Sequence, residues 1–196
     1  MNLRPAILII FVLILVLAVG GMIVLKKSQI GSKDKGEITQ VASPMKVESK
    51  MKLASSAFEN NGMIPAKYTC DGEDVSPPLL ISGVPETAVN LVLIVDDSDA
   101  PVGDFVHWTV WSIDPKTTEV DEGAVPAGGV EGMTDFGKTG WGGPCPPSGT
   151  HHYQFKLYAL DTTLDLSSSA KKQDIEKAME GHILDQTLLV GLYQRK

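Results

Sequence analysis

The sequence predicts a mainly β protein: an antiparallel sandwich of two sheets with a C-terminal helix, preceded by one N-terminal transmembrane helix. The apolar runs beyond residue 51 are short, rich in β-branched and aromatic residues, and separated by glycine and proline, as in β-strands. Only one late segment has helical spacing, which favours a sandwich over a parallel sheet with alternating helices. An unbroken apolar run covers residues 6–25, and about twenty such residues cross a bilayer.

Residues 1–27 are predicted to form a membrane anchor or signal segment. Arg4 precedes the apolar run and two lysines follow it, which favours a signal anchor. Residues 18–20 are small enough for a signal peptidase, so a cleavable signal peptide is an alternative, and a buried core helix is a third interpretation. No cysteine directly follows the run, which excludes a bacterial-type lipoprotein anchor.

The polar segment at residues 28–50 is predicted to be a flexible linker, because it has no apolar period. The folded domain is expected at residues 51–196. Lysines after the apolar run favour a cytoplasmic C-terminal side, but this rule weakens when a whole domain follows. We therefore expect a single-pass protein of the cell membrane whose domain lies on the extracytoplasmic side.

Four apolar segments predict the main strands. Residues 91–95 are apolar on both faces, which predicts a central strand covered on both sides and ending at residues 96–97. Residues 105–113 predict a second strand of this kind. Residues 153–160 alternate as a strand with one buried face does, and residues 187–193 predict a late strand.

One segment predicts the helix. Ser169 can serve as its N-cap, Ile175, Ala178 and Met179 recur at helical spacing, and Gly181 is placed to end it. The helix therefore follows most of the predicted strands in the chain.

Composition and motifs exclude several classes of function. The 24 acidic and 17 basic residues give a formal net charge of −7, which opposes binding to a phosphate backbone, so we expect no nucleic-acid partner. The chain has no Walker lysine, dinucleotide fingerprint or Gly-x-Ser-x-Gly elbow. We expect no enzymatic activity and no cofactor. Cys145, between prolines, is the one conceivable nucleophile.

Three histidines have distinct expected positions. His151 is predicted to share the buried face of Tyr153, whereas His152 points the other way, so the adjacent pair cannot clamp one metal ion. His107 lies within an apolar strand and needs a hydrogen-bond partner or a ligand. Taken singly, His107 and His151 are most simply core histidines bonded to the backbone.

Two aspartates follow a buried strand, which is a common place for site residues on a rigid scaffold. Asp97 and Asp99 occupy a turn that Pro101 fixes, so plain turn chemistry is the alternative. The nearby Asp96 and Asp104 are interpreted as solvated neighbours.

A glycine-rich segment precedes the second histidine-bearing strand. Residues 140–143 can present successive backbone N–H groups, including those of Gly142 and Gly143, to an anion. Pro146 and the prolines beside it stiffen the next segment.

Four segments carry a family resemblance: residues 69–78, residues 97–101, the His107–Trp108 pair and residues 142–153. In this order they resemble the signature of the phosphatidylethanolamine-binding protein family, which includes the Raf kinase inhibitor protein, in its bacterial and archaeal branch. The similarity covers about residues 52–195. Ser98 stands where the family usually has proline, and His152 where it usually has arginine.

The resemblance implies the family's two-sheet sandwich with a C-terminal helix and a pocket for a small anion. The implied ligand-binding residues are Asp97, Asp99 (bracing its loop from behind), His107, Gly142, Gly143, Pro146, His151 and Tyr153. The expected function is a membrane-tethered, non-catalytic binding protein for a phosphate monoester, a phospholipid headgroup or a carboxylate. The alternative is a regulator of proteins, such as a serine protease inhibitor or a kinase-pathway modulator, with a protease or kinase as partner.

Both cysteines lie in segments that carry the resemblance. Cys70 and Cys145 are too few for a disulfide framework and lack zinc-site spacing. If the domain is extracytoplasmic, they are candidates for one disulfide, and otherwise they are ordinary thiols. We expect no metal, although His107, His151 and Asp97 are ligand types that could form a metal site.

Overall fold

The computed structural model describes residues 49–196, which form two β-sheets with a shared hydrophobic core. The small sheet has the order β1-β3-β6, and the large sheet has the order β2-β9-β8-β4-β5-β7. The strands are β1 (Lys52–Ala54), β2 (Gly62–Met63), β3 (Leu79–Ser82), β4 (Asn90–Asp97), β5 (Phe105–Ile113), β6 (Glu119–Val120), β7 (Val130–Glu131), β8 (His151–Leu160) and β9 (Ile183–Tyr193), with helix α1 (Lys172–Met179) before β9 and a 3-10 turn at Ala66–Tyr68.

The predicted mainly β fold with one helix is confirmed. All strand pairs are antiparallel except that of β2 with β9, which is parallel and two residues long. The predicted transmembrane helix at residues 6–25 and most of the predicted linker lie outside the described residues. Within residues 49–196, no helix combines the length and apolar character needed to span a bilayer.

Strand β4 is the centre of the large sheet and is buried along its whole length, as predicted. Its alternate side chains enter two different clusters. Leu91, Leu93 and Val95 pack into the core between the two sheets. Val92 and Ile94 pack on the opposite face of the large sheet, in the cluster that contains residues of α1. The strand is apolar on both faces because α1 covers the face that the small sheet does not.

The helix begins two residues later than a Ser169 cap would place it. Lys171 is the N-cap residue, and its backbone N–H donates to the Asp174 side chain over 3.0 Å. The Ser169 hydroxyl instead bonds that of Ser167. Gly181 follows the helix with φ 80°, a conformation that glycine adopts without strain.

The interpretation of Asp96 as a solvated residue is wrong. Its side chain is 0% exposed, and its carboxylate lies 2.8 Å from Lys156 Nζ and 2.6 Å from Lys172 Nζ. Burial lowers the pKa of Lys172, but the hydrogen bond and charge of Asp96 outweigh it and raise that pKa above its ordinary value. Asp104, which is largely exposed, also accepts from Lys172. This group of charges joins α1 to the large sheet.

We expect Asp96→Asn to lower the free energy of unfolding by about 3 to 5 kcal/mol, because it removes the one buried carboxylate that two largely buried ammonium groups share. Denaturant unfolding of the full-length chain measures the effect. Asp161→Asn, which breaks the exposed contact with His182, is the matched control and should change little. Equal effects of the two variants would contradict this account of the Asp96 group.

A disulfide joins Cys70, after the 3-10 turn, to Cys145, before β8. The two Cα atoms are 5.5 Å apart, and the Cys70 N–H donates to the carbonyl of Pro144 over 3.2 Å. The bond ties the segment before β8 to the segment after the 3-10 turn across a sequence separation of 75 residues.

The double variant Cys70→Ser/Cys145→Ser is expected to lose about 4 kcal/mol of unfolding free energy, because its unfolded chain is no longer cross-linked. Denaturant midpoints with and without reductant measure this loss. Reductant should lower the midpoint of the native protein and leave that of the variant unchanged. Identical midpoints for the oxidised protein and the variant would refute the stabilising role.

Candidate functional site

A cavity of about 230 Å³ opens where β4 ends and where β5 and β8 begin. Its lining residues are Asp97, Ala100, Pro101, Val102, Phe105, His107, Phe136, Cys145, Pro146, Pro147, His151 and Tyr153. Asp97 lies between Phe105 of β5 and Tyr153 of β8 in the strand register. His107 lies two residues after Phe105 on β5, and His151 lies two residues before Tyr153 on β8. Residues two apart share a face of a strand. The register therefore brings both imidazoles to the carboxylate.

The Asp97 carboxylate holds the His151 ring. The distance from Asp97 Oδ2 to His151 Nδ1 is 2.6 Å, and both side chains are buried. Asp97 Oδ1 accepts from the Asp99 backbone N–H over 2.9 Å. Because the carboxylate can only accept, His151 Nδ1 carries a hydrogen. His151 Nε2 then accepts when the ring is neutral and donates when the ring is an imidazolium.

The His107 ring is held by a backbone carbonyl rather than by a carboxylate. Its Nδ1 lies 2.5 Å from the carbonyl oxygen of Gly142, so this nitrogen carries the hydrogen. Burial lowers the pKa of His107, although the bond to Gly142 and the nearby carboxylates oppose the shift. The neutral ring therefore leaves Nε2 as an acceptor. The rings of Phe105, Phe136 and Tyr153 all pack edge-on against His107.

Tyr153 has an enclosed hydroxyl without a partner. The residue is 0% exposed, and its hydroxyl makes no hydrogen bond with any residue of the described range. Asp97 and the backbone of Cys145 lie near it. Burial first, and then the charge of Asp97, raise the pKa of Tyr153, so the group stays a neutral donor. An unmatched buried hydroxyl costs about 1 to 3 kcal/mol, which a bound acceptor would recover.

The backbone amides of Gly142 and Gly143, which the sequence predicted to face an anion, have protein partners in the structure. The Gly142 N–H donates to the carbonyl of His107 over 3.0 Å, and the Gly143 N–H donates to Asp74 Oδ1 over 2.7 Å. Neither residue lines the cavity. A Cβ at Gly142 would collide with the Phe136 ring, and one at Gly143 with Asp74. These glycines permit close packing behind the cavity wall.

Asp99 lies outside the cavity lining and fixes the loop after β4. Its carboxylate accepts from the backbone N–H of His152 over 2.8 Å and lies 2.6 Å from His152 Nδ1. The hydrogen bonds from the side chain and backbone of His152 lower the pKa of Asp99. His152, which stands where the resembled family usually has arginine, thus contacts this carboxylate.

Of the sequence-predicted ligand residues, the fold brings Asp97, His107, Pro146, His151 and Tyr153 together around the cavity. Within residues 49–196, no three His, Cys, Asp or Glu side chains are grouped to hold a metal ion. The apolar wall of the cavity, in particular Phe105 and Phe136, was not predicted from the sequence. The position of Phe105, two residues before His107 on the same strand, was a usable signal.

Comparisons with known proteins agree on one family. The family model of phosphatidylethanolamine-binding protein matches residues 54–194. A UPF0098 protein of Pyrococcus horikoshii is 53% identical over 159 residues, covering 76% of this chain and 80% of that protein.

Two crystal structures are also similar. A phosphatidylethanolamine-binding protein homologue of Chlamydia trachomatis is 39% identical with a TM-score of 0.73, covering 76% of this chain and 99% of that one. E. coli YbcL, described as a member of the mammalian family, is 29% identical with a TM-score of 0.71, covering 76% of this chain and 100% of that one. The chain therefore belongs to the phosphatidylethanolamine-binding protein family.

Proposed function

We propose that this protein is a non-catalytic binding protein that is tethered to the cell membrane and holds a small anion in the cavity beside Asp97. The ligand is a phosphate monoester, a phospholipid headgroup or a carboxylate. Residues 6–25 anchor the chain, residues 28–50 act as the linker, and the binding domain lies on the extracytoplasmic side.

The unpartnered hydroxyl of Tyr153 is the observation that carries the binding proposal. Tyr153 lines the cavity, and its buried hydroxyl is a donor that a bound acceptor would satisfy. His151 also lines the cavity, and its Nε2 is a second donor when both ring nitrogens carry a hydrogen. An anion with at least two oxygen atoms matches these two donors.

The apolar run supports the proposed membrane tether, and the disulfide supports an extracytoplasmic position of the domain. Disulfides persist mainly in oxidising compartments, outside the cytoplasm. The uninterrupted run at residues 6–25 has the length of a bilayer-spanning helix. Both features fit a domain that is exported and remains attached.

We expect Tyr153→Phe to weaken anion binding by roughly tenfold to a hundredfold, the loss of one hydrogen bond to a charged group. Calorimetric titration of the detergent-solubilised full-length chain with acetate, inorganic phosphate and phosphoethanolamine measures this. The same substitution should leave the free energy of unfolding without ligand unchanged or higher, because it removes an unmatched buried hydroxyl. This combination separates a ligand-binding group from a structural one.

His151→Gln should abolish saturable binding, whereas His182→Gln is the control on an exposed histidine–aspartate contact and should bind as the native protein does. If the native protein binds none of the three anions, or if binding is independent of His151, the proposed function is wrong.

For the tether, we expect the full-length protein to stay in the membrane fraction after alkaline carbonate washing, and a variant lacking residues 1–27 to become soluble. Protease added to the extracytoplasmic side should digest the domain of the full-length protein. Protection of the domain in sealed cells, with digestion only after lysis, would place it in the cytoplasm and contradict the proposed sidedness.

A further inference from the structure

Two side chains that line the cavity can donate to a ligand: Tyr153 through its hydroxyl, and His151 through Nε2 when both ring nitrogens carry a hydrogen. The third polar side chain with a free position is His107, whose neutral ring offers an acceptor at Nε2. A carboxylate has two oxygen atoms, so each can meet one donor. A phosphate monoester dianion has three terminal oxygen atoms, and the third would face the His107 lone pair or the Asp97 carboxylate.

The charge around the cavity also favours a ligand with a single negative charge. No lysine or arginine of the described range lines the cavity, and the Asp97 carboxylate already places one negative charge there. Lys138 lies nearby, with Nζ 6.0 Å from the centroid of the Phe136 ring, but it contacts the ring and does not line the cavity. A second ligand charge would therefore have no partner in a site of low polarity.

The remaining wall of the cavity is apolar and formed by Ala100, Pro101, Val102, Phe105, Phe136, Pro146 and Pro147. Val102 is 82% exposed and Phe136 is 42% exposed, so a bound apolar group would cover side-chain surface that water now contacts. At roughly 30 Å³ per water-sized group, a cavity of about 230 Å³ accommodates about eight such groups. This space exceeds what acetate fills and suits one small ring or short chain.

We infer that the ligand of this cavity is a monocarboxylate with one compact apolar substituent, the size of benzoate or hexanoate. Its carboxylate binds Tyr153 and His151, and its apolar part lies between Phe136 and Val102. This inference rests on the proposed function, since it names the class of anion that the same cavity takes.

Calorimetric titration of the detergent-solubilised full-length chain at pH 7 tests the inference with acetate, benzoate, phenyl phosphate and inorganic phosphate. Benzoate should bind about tenfold more tightly than acetate, because its ring buries apolar surface. It should also bind about tenfold more tightly than phenyl phosphate, which has the same ring but carries close to two charges at this pH.

Two variants test whether the apolar part of the ligand contacts Phe136 and Val102. Phe136→Ala and Val102→Ser should each weaken benzoate binding several-fold and leave acetate binding unchanged. Val102 is too exposed for its substitution to unfold the domain, so it keeps the test valid if Phe136→Ala proves unstable. Leu188→Ala removes an exposed apolar side chain outside the cavity lining and is the matched control.

The outcomes separate this inference from the function on which it rests. Tighter binding of phenyl phosphate or inorganic phosphate than of benzoate, with dependence on His151, overturns the inference and leaves the proposed anion-binding function intact. Equal binding of acetate and benzoate also overturns it. Failure of all four anions to bind refutes the proposed function and the inference together.

Discussion

The architecture depends on β4, a strand buried on both faces that ends in two consecutive carboxylates. Because successive side chains point to opposite faces, Asp96 faces the helix side of the large sheet and Asp97 faces the cavity. A buried carboxylate is stable only beside positive or donating groups. Lysines supply them on one side and a histidine on the other. One charge group thus holds α1 to the sheet, while the other orients an imidazole at the cavity.

The sequence predicted the parts of this arrangement that depend on local pattern. The apolar character of residues 91–95 on both faces indicated a doubly covered strand, and residue periodicity placed His151 and Tyr153 on one face. The solvated interpretation of Asp96 failed because Lys172, its closest partner, is 76 positions away. No local pattern encodes such a contact. The anchor, the linker, the ligand and any protease or kinase partner stay predictions.

The sequence predicted the polar residues that line the cavity but, apart from Pro146, not the apolar ones. The family resemblance and strand alternation identified the carboxylate, the imidazoles and the tyrosine, which lie on regular elements. Phe136 reaches the cavity from a loop after β7. In a loop, the spacing of residues in the sequence does not predict which way a side chain points. The amides of Gly142 and Gly143 were assigned to an anion because a glycine-rich segment can donate to one. Tertiary partners, His107 and Asp74, use those donors first.

The position of the disulfide along the chain has a consequence for how the protein matures. Strands β3 to β7 lie between Cys70 and Cys145, whereas β8, α1 and β9 come later. Both thiols are therefore synthesised before the strand that separates β4 from β9 in the finished sheet. An oxidant that meets the emerging polypeptide can therefore join the two cysteines before β8 enters the large sheet.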